Sequence, residues 1–292
     1  SSDDVKILVG WYTRRKRLAG DRRLLAYVVS DLEKSGTEFV QKWQNEHISH
    51  WETIWQSTYV DNDARDLKLN LAGWNSSFTG TPIPEKEMKE WVQNTVTRIR
   101  SLKPDRVLEI GCGTGLLMSR IAPNCQEYWG TDFSQKALDE VQKIQGLNNV
   151  RLFNKSADDL GWIEPESFDT VILNSVVQYF PDIHYLLKVL VNVISLVKPG
   201  GHIFVGDVRN LSLFKAFNAA IQLYQAPDSL TLKKLNERIE QRMSLEEELV
   251  IEPSFFNALK ETQTAITHIS VWLKQGEYHN ELTQYRKMRE TK

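Results

Sequence analysis

The chain of 292 residues has only two cysteines, Cys112 and Cys125. Neither has metal-ligand spacing around it, and they do not form a disulfide framework, so a cross-linked secreted fold and a zinc site both lose support. Positive charge is not in excess: 36 Lys and Arg face 38 Asp and Glu, which leaves −2 and no field to attract nucleic acid. Long hydrophobic runs are missing too, and the longest apolar stretches are far short of a membrane span. Ser1–Asp4 show no signal-peptide pattern. The scattered His47, His50, His184, His202 and His268 have no ligand spacing. We therefore expect a cytoplasmic protein with no metal, no nucleic-acid partner and no membrane partner. Internal repeats and low-complexity tracts are likewise missing.

With 41% hydrophobic and 25% charged residues, the chain has the composition of a globular protein able to bury a full core. Its organisation falls into four stretches: 1–35, 36–104, 105–207 and 208–292. The first holds two short apolar runs, Val5–Val9 and Leu24–Val29, read as strands around a basic loop at Trp11–Arg17. The second is aromatic and largely helical, with Trp43, Trp51, Trp55, Tyr59, Trp74 and Trp91. Its last helix should open at Pro84, carry Glu85 and Glu87 in the first turn, and bury Met88, Trp91, Val92, Thr95, Val96, Ile99 and Leu102 before Pro104 stops it.

From 105 onward strands and helices alternate. Strands are expected at Val107–Ile110, Tyr128–Thr131, Val150–Phe153, Phe168–Leu173 and His202–Asp207, and helices at Leu116–Ala122, from Ser134 to about Gln145, and at Ile183–Leu196. Repeated βα units imply a Rossmann-like α/β fold, a parallel sheet with helices on both faces. Residues 208–262 read as a helical lid over the sheet end, and Ile266–Leu273 as a late strand that turns at Gln275-Gly276.

The sharpest motif is Val107-Leu108-Glu109-Ile110-Gly111-Cys112-Gly113-Thr114-Gly115. A buried strand runs into a turn where Gly111, Gly113 and Gly115 let a ligand lie against the backbone. Glu109, two residues before the first glycine, can reach an ammonium group, whereas a pyrophosphate site has little use for a carboxylate there. Cys112 is a small residue tolerated in the loop. Asp132, in Gly130-Thr131-Asp132-Phe133-Ser134, stands where an acidic side chain accepts from both hydroxyls of a ribose. Asp158, in Ser156-Ala157-Asp158-Asp159-Leu160, is placed to accept from an adenine amino group, with Leu160 or Trp162 against the ring; alone it would read as a helix cap.

These residues, with the Lys198–Gly201 turn, resemble a class I S-adenosylmethionine-dependent methyltransferase. The resemblance implies a seven-stranded sheet whose last strand is antiparallel. It also implies a cofactor site built from Glu109, Gly111, Cys112, Gly113, Gly115, Asp132, Phe133, Ala157, Asp158 and Asn174. The longer strings 73–84, 174–181, 206–209, 222–228 and 278–282 resemble methyltransferase domains embedded in nonribosomal peptide synthetases. Asp21–Val29 resembles the small C-terminal subdomain of an adenylation domain, so residues 1–35 read as a partial adenylation remnant. The basic loop at 10–20 departs from a working subdomain. Tyr285–Lys292 is charged where the family has an apolar last strand. The implied partners are the other megasynthase domains and an acyl or peptidyl carrier protein bearing a phosphopantetheine-tethered substrate.

Methyl transfer is an in-line displacement that rewards alignment and dryness. Candidate acceptor-side residues are Asn174 and Gln178, Asp207 and Arg209, His279 and Glu281, with Trp74 and Asn75 closing the pocket. Each also has a plainer reading. Asp207 caps a helix, His279 is a turn residue, Arg209 lies on the surface or pairs with Glu281, the tryptophans pack helices, and Glu246-Glu247-Glu248 is a solvated face. An amine acceptor, with a pKa of about 7.7–8.0, needs orientation and a modest proton sink. A hydroxyl needs a positioned base, which His279 with Asp207 would supply. N-methylation of a tethered aminoacyl group leads, and O-methylation of a tethered hydroxyacyl group follows. The remaining alternative is a docking module without turnover.

Overall fold

The structure is a computed structural model and describes residues 6–10, 25–29, 36–59, 66–274 and 276–291. The basic loop expected at 11–17 and Gln275 of the expected late turn lie outside these residues. The chain divides into two compact units, Ser1–His47 and Ile48–Lys292. In the first, β1 (Lys6–Gly10) and β2 (Leu25–Val29) pair antiparallel, with Lys6 opposite Val29. Helix α1 (Gly36–Thr58) crosses the boundary between the units.

The second unit is an α/β fold built on a parallel sheet. Helix α2 (Glu85–Ser101) begins after Pro84 and buries Met88, Trp91, Val92, Thr95, Val96 and Ile99, the face its apolar period selects. Burial of each large apolar side chain on that face is worth about 1.5–3 kcal/mol. There follow β3 (Arg106–Ile110), α3 (Met118–Ile121), β4 (Glu127–Asp132), α4 (Gln135–Gln142), β5 (Val150–Asn154), β6 (Phe168–Asn174), α5 (Ile183–Leu196) and β7 (Val197–Arg209). Five parallel strands stand in the order β5-β4-β3-β6-β7. Beyond them come α6 (Leu211–Tyr224), α7 (Leu232–Ser244), α8 (Ser254–Thr262), β8 (Ile269–Leu273), α9 (Glu281–Gln284) and β9 (Arg286–Thr291). Strand β9 pairs antiparallel with β7, and β8 pairs antiparallel with β9.

Side chains alternate across each strand. Leu108 and Ile110 of β3, Val171 and Leu173 of β6, and Ile203 and Val205 of β7 enter one core with α5 and α8. Val107, Ile172 and Phe204 enter the other, with α2, α3 and α4. Glu109 shares the parity of Val107, and it sits in register with Gly130 on one side and Ile172 on the other. The strand period therefore carries this acid inward.

Several boundaries differ from the sequence expectation. Helix α3 is a single turn continued by a 3-10 turn at Ala122–Asn124, because Pro123 interrupts the backbone ladder. Ser134 caps α4, accepting from Ala137 N, but the helix ends at Gln142, short of 145. Strand β7 starts at Val197 rather than His202, with a register irregularity between Phe168 and Thr170 opposite the Lys198–Gly201 stretch. Strand β8 starts at Ile269 rather than Ile266. Helix α8 is core rather than lid, with Phe256 and Leu259 packed among the sheet residues. Among the described residues no helix is long and apolar enough to cross a membrane.

Candidate active site

The carboxyl ends of β3, β4 and β6 open onto a cavity of about 200 Å³. Its floor is the glycine turn. Gly111 N and Cys112 N both donate to Thr131 O, at 2.8 and 3.0 Å, which folds the turn back over β4. Gly111, Gly113 and Gly115 have φ of 72°, 52° and 82°. A Cβ on Gly111 would meet Val176 Cγ2 at 2.5 Å, so a side chain is refused there on two counts.

Two acids face this turn. Glu109 is buried and accepts from the Tyr128 hydroxyl at 2.7 Å. Burial pushes its carboxyl up to about 8, against the pull of that hydrogen bond. Asp132 accepts from Gly113 N and Ser134 N, both at 2.8 Å, and burial raises it to about 6. A carboxyl that burial holds so high is short of a cation, which an incoming ammonium supplies. A smaller cleft shares Gly111, Asp132 and Phe133 with the cavity and continues past Ala157 to Trp51, Tyr179 and Tyr185. A ligand with an ammonium at one end and a ribose and flat ring at the other fits this acid-and-glycine cradle.

The rest of the cavity wall comes from sequence-distant elements. Trp55 and Tyr59, at the end of α1, stack at 5.5 Å, and Trp55 and Trp51 both pack on Tyr179. Trp74 and Asn75 line the cavity, and Trp74 packs on Trp91 at 4.7 Å. Glu281 accepts from Ser77 N at 2.7 Å and Ser77 Oγ at 2.8 Å, tying the loop at 73–83 to the start of α9. Glu248 and Arg286 complete the wall.

A methyltransferase-domain family model matches residues 108–203, the stretch that holds the glycine turn, Asp132 and Asn174. The chain is 43% identical over 270 residues to chondramide synthase cmdD of Chondromyces crocatus, covering 91% of this chain and 7% of that protein. It is 38% identical over 271 residues to a probable non-canonical nonribosomal peptide synthetase, CymA, of Salinispora arenicola, covering 92% of this chain and 3% of the relative. This chain is a methyltransferase domain, similar over nearly its whole length to a segment of nonribosomal peptide synthetases. It spans only a small part of these relatives' length, as their shares state. The fold is also that of the N-methyltransferase NodS of Bradyrhizobium japonicum, solved with S-adenosyl-L-homocysteine. That likeness has a TM-score of 0.53 at 16% identity and covers 82% of this chain and 96% of the other. The cofactor of this methyltransferase domain is S-adenosylmethionine.

Against this family the expected site residues divide. Glu109, Gly111, Cys112, Gly113, Asp132, Phe133 and Asn174 line the main cavity, as do Trp74, Asn75 and Glu281, and Ala157 lines the smaller cleft. Gly115 turns inward, where a Cβ would meet Val141 at 3.1 Å. Asn174 lies against Gly206, whose absent side chain leaves it room; a Cβ there would come within 2.0 Å of Asn174 Oδ1.

Six expectations are corrected. Asp158 lines neither cavity: it accepts from Tyr185 Oη and Lys188 Nζ at 2.8 Å and from Ser156 Oγ at 2.9 Å. Leu160 is core, and Trp162 stacks on Trp129 at 5.7 Å, so neither covers a ring in the cleft. Asp207 is not a base: fully buried, it accepts from Lys274, Arg286 and Ser175, and these cations hold its carboxyl down at about 2 against the cost of burial. It is not a cap either, since Asn210 caps α6. His279 is exposed and does not line the cavity, so it makes no dyad with Asp207. Gln178 is buried away from the cavity, its carbonyl accepting from Leu249 N at 2.7 Å. Arg209 bonds Glu246 and Glu248, each at 2.8 Å, rather than Glu281, and thereby converts the expected solvated run into a clamp that sets Glu248 in the wall.

The sequence reasoning missed Tyr59, Tyr179, Ser77, Glu248 and Arg286, and for Trp55 it favoured helix packing over substrate stacking. Gly73 carried a usable signal. At φ 81° its Cβ would sit 2.8 Å from the Trp55 ring, so the glycine marks where α1 closes down.

Proposed function

We propose that this domain methylates the amine of an aminoacyl group tethered by phosphopantetheine to a carrier protein of a nonribosomal assembly line. We read β8 and β9 as the sixth and seventh strands of the class I sheet, which places Arg286 at the site. Glu109 would take the cofactor's ammonium, Asp132 its ribose, and Phe133 and Ala157 would flank its ring. When bound, S-adenosylmethionine supplies an electrophilic methyl on a sulfonium.

The domain's own residues do the rest. Trp55, Tyr59 and Trp74 wall the cavity and exclude water. Glu248 and Glu281, acceptor-only when ionised, would receive the N–H bonds of the incoming amine and orient its lone pair. The released proton passes to a carboxylate oxygen of this pair and on to solvent.

The observation that carries the amine reading is the state of Asp207. A hydroxyl acceptor needs a base whose pKa lies near the working pH. Asp207, held at about 2 by Lys274 and Arg286, cannot serve, His279 is not beside it, and Glu109 and Asp132, whose carboxyls burial raises, are taken by the cofactor in this reading. An amine is already partly free base at neutral pH and asks only for orientation.

The test is mass spectrometry of carrier protein loaded with an aminoacyl or a matched hydroxyacyl group, incubated with this domain and S-adenosylmethionine. Gain of one methylene on the aminoacyl form alone is expected. Gain on the hydroxyacyl form alone would replace this reading with O-methylation. Cofactor binding without transfer to either would mean that the acceptor or the carrier is the wrong one, and absence of cofactor binding would favour the docking-module alternative.

A further inference from the structure

Helices α6 and α7 pack together, with Lys215 Nζ 3.2 Å from Glu240. Where α6 ends and α7 begins, apolar side chains stand in solvent. Leu223 and Tyr224 close α6 at 59% and 64% exposure, and Leu232 opens α7 at 79%. Single exposed apolar residues are ordinary, but a group of three large ones marks a contact surface. Lys233 and Lys234 follow at once and are exposed. Arg238 and Arg242 line a groove with Gln222, the neighbour of Leu223. Asp228 and Glu237 are acids nearby, while Glu246, which lines the same groove, is bonded to Arg209 and Glu240 is paired with Lys215, so the patch keeps a cationic rim.

This patch shares a loop with the active site. The Tyr224 ring meets Phe78 edge-on at 5.6 Å, and Gln225 Nε2 donates to Phe78 O at 2.8 Å. The adjoining Ser77 lines the cavity and holds Glu281. A partner seated on Tyr224 therefore touches a residue that packs on Phe78, next to Ser77 of the cavity wall.

We propose that Leu223, Tyr224 and Leu232, with Lys233 and Lys234, form the docking surface for the substrate-bearing carrier protein. The proposal rests on the carrier-tethered reading above and adds the place of contact. The carrier is the occupant because of charge and position. Its arm begins with a phosphodiester, an anion that Lys233 and Lys234 complement. That anion must stand at the surface while the acyl end of the arm lies in the cavity, and the loop at 73–83 joins those two places. The apolar trio would supply the desolvated centre and the lysines the rim.

The experiment uses the whole 292-residue chain and two acceptors. One is an aminoacyl group on a phosphopantetheinylated peptidyl carrier domain. The other is the same aminoacyl group as its N-acetylcysteamine thioester. Leu232→Glu, and separately Lys233→Glu with Lys234→Glu, should raise KM for the carrier form about tenfold, with kcat little changed. Both variants should leave kcat/KM for the free thioester as it was, because these exposed residues touch nothing in the cavity. An unchanged KM for the carrier form would overturn the proposal, and so would an equal loss on both acceptors. Should the unaltered chain methylate the thioester but never the carrier form, the carrier reading falls and takes this surface with it, while methyl transfer itself stands.

Discussion

Glu109 shows how one buried side chain sets both stability and ligand preference. In the folded chain its carboxyl is pushed up to about 8, while in the unfolded chain it titrates near about 4.3. A group with its folded pKa raised contributes fully below the unfolded value and loses that contribution as pH rises through the folded one. The ligand-free domain should therefore lose about 1.4 kcal/mol of stability per pH unit on this account between roughly 4.3 and 8. Glu109→Gln should flatten the dependence of Tm on pH across that window, as scanning calorimetry would record. The same variant should weaken S-adenosylmethionine binding by about tenfold or more, since a charge-assisted bond to the ammonium is lost. Full retention of binding by titration calorimetry would remove Glu109 from the ammonium site. Gly111→Ala acts differently, through sterics. With Val176 at 2.5 Å and φ at 72°, it should cost about 1–3 kcal/mol of stability and displace the turn, and a second change, Val176→Ala, should restore only part of it.

At the scale of elements, the active site is a meeting of a regular sheet with three irregular pieces: the end of α1, the loop at 73–83 and the start of α9. The clasp between Ser77 and Glu281 joins two of these. Ser77→Ala removes the hydroxyl and keeps the amide bond, so it should cost about 1 kcal/mol and raise KM for the acceptor more than it lowers kcat. Steady-state kinetics would settle that split. An equal loss of kcat and kcat/KM would mean that Ser77 acts in the transition state instead. The regular pieces were legible in the sequence because their periods are local: α2 and α5 bury the face that a 3.6-residue repeat selects, and β3 carries Glu109 inward by its two-residue alternation. The glycine turn and Asp132 were legible for the same reason, since their spacing is their chemistry. The clamp of Arg209 on Glu246 and Glu248 spans 37 and 39 residues, and the bonds of Lys274 and Arg286 to Asp207 span 67 and 79. No pattern in a single sequence pairs charges over such separations. The same blindness turned the Glu246–Glu248 run into a solvated face and Asp207 into a base.

For the whole molecule, Asp207 is a junction. Its carboxylate gathers Ser175 from the end of β6, Lys274 from the end of β8 and Arg286 from the start of β9, and its own backbone takes φ 62° in β7 to do so. Lys274 also lies over the Trp91 ring at 4.5 Å, which brings α2 into the same group. Asp207→Asn would leave two cations buried without their counter-charge, at a cost of about 3–5 kcal/mol in a denaturant titration. Because Arg286 also lines the cavity, some activity should be lost with it even where the variant stays folded. Stability and catalysis can be told apart by pH. The Asp207 contribution to stability is present above about 3.9 and is lost as pH falls through about 2, so it lies wholly in the acid range. An amine acceptor should instead give kcat/KM an acid limb near about 7.7–8.0, the ionisation of the substrate itself. That limb should stay in place in Asp207→Asn, lowered in height but unshifted. If it moved or vanished with the carboxylate, Asp207 would be taking the proton after all, and the amine reading would lose the observation that carries it.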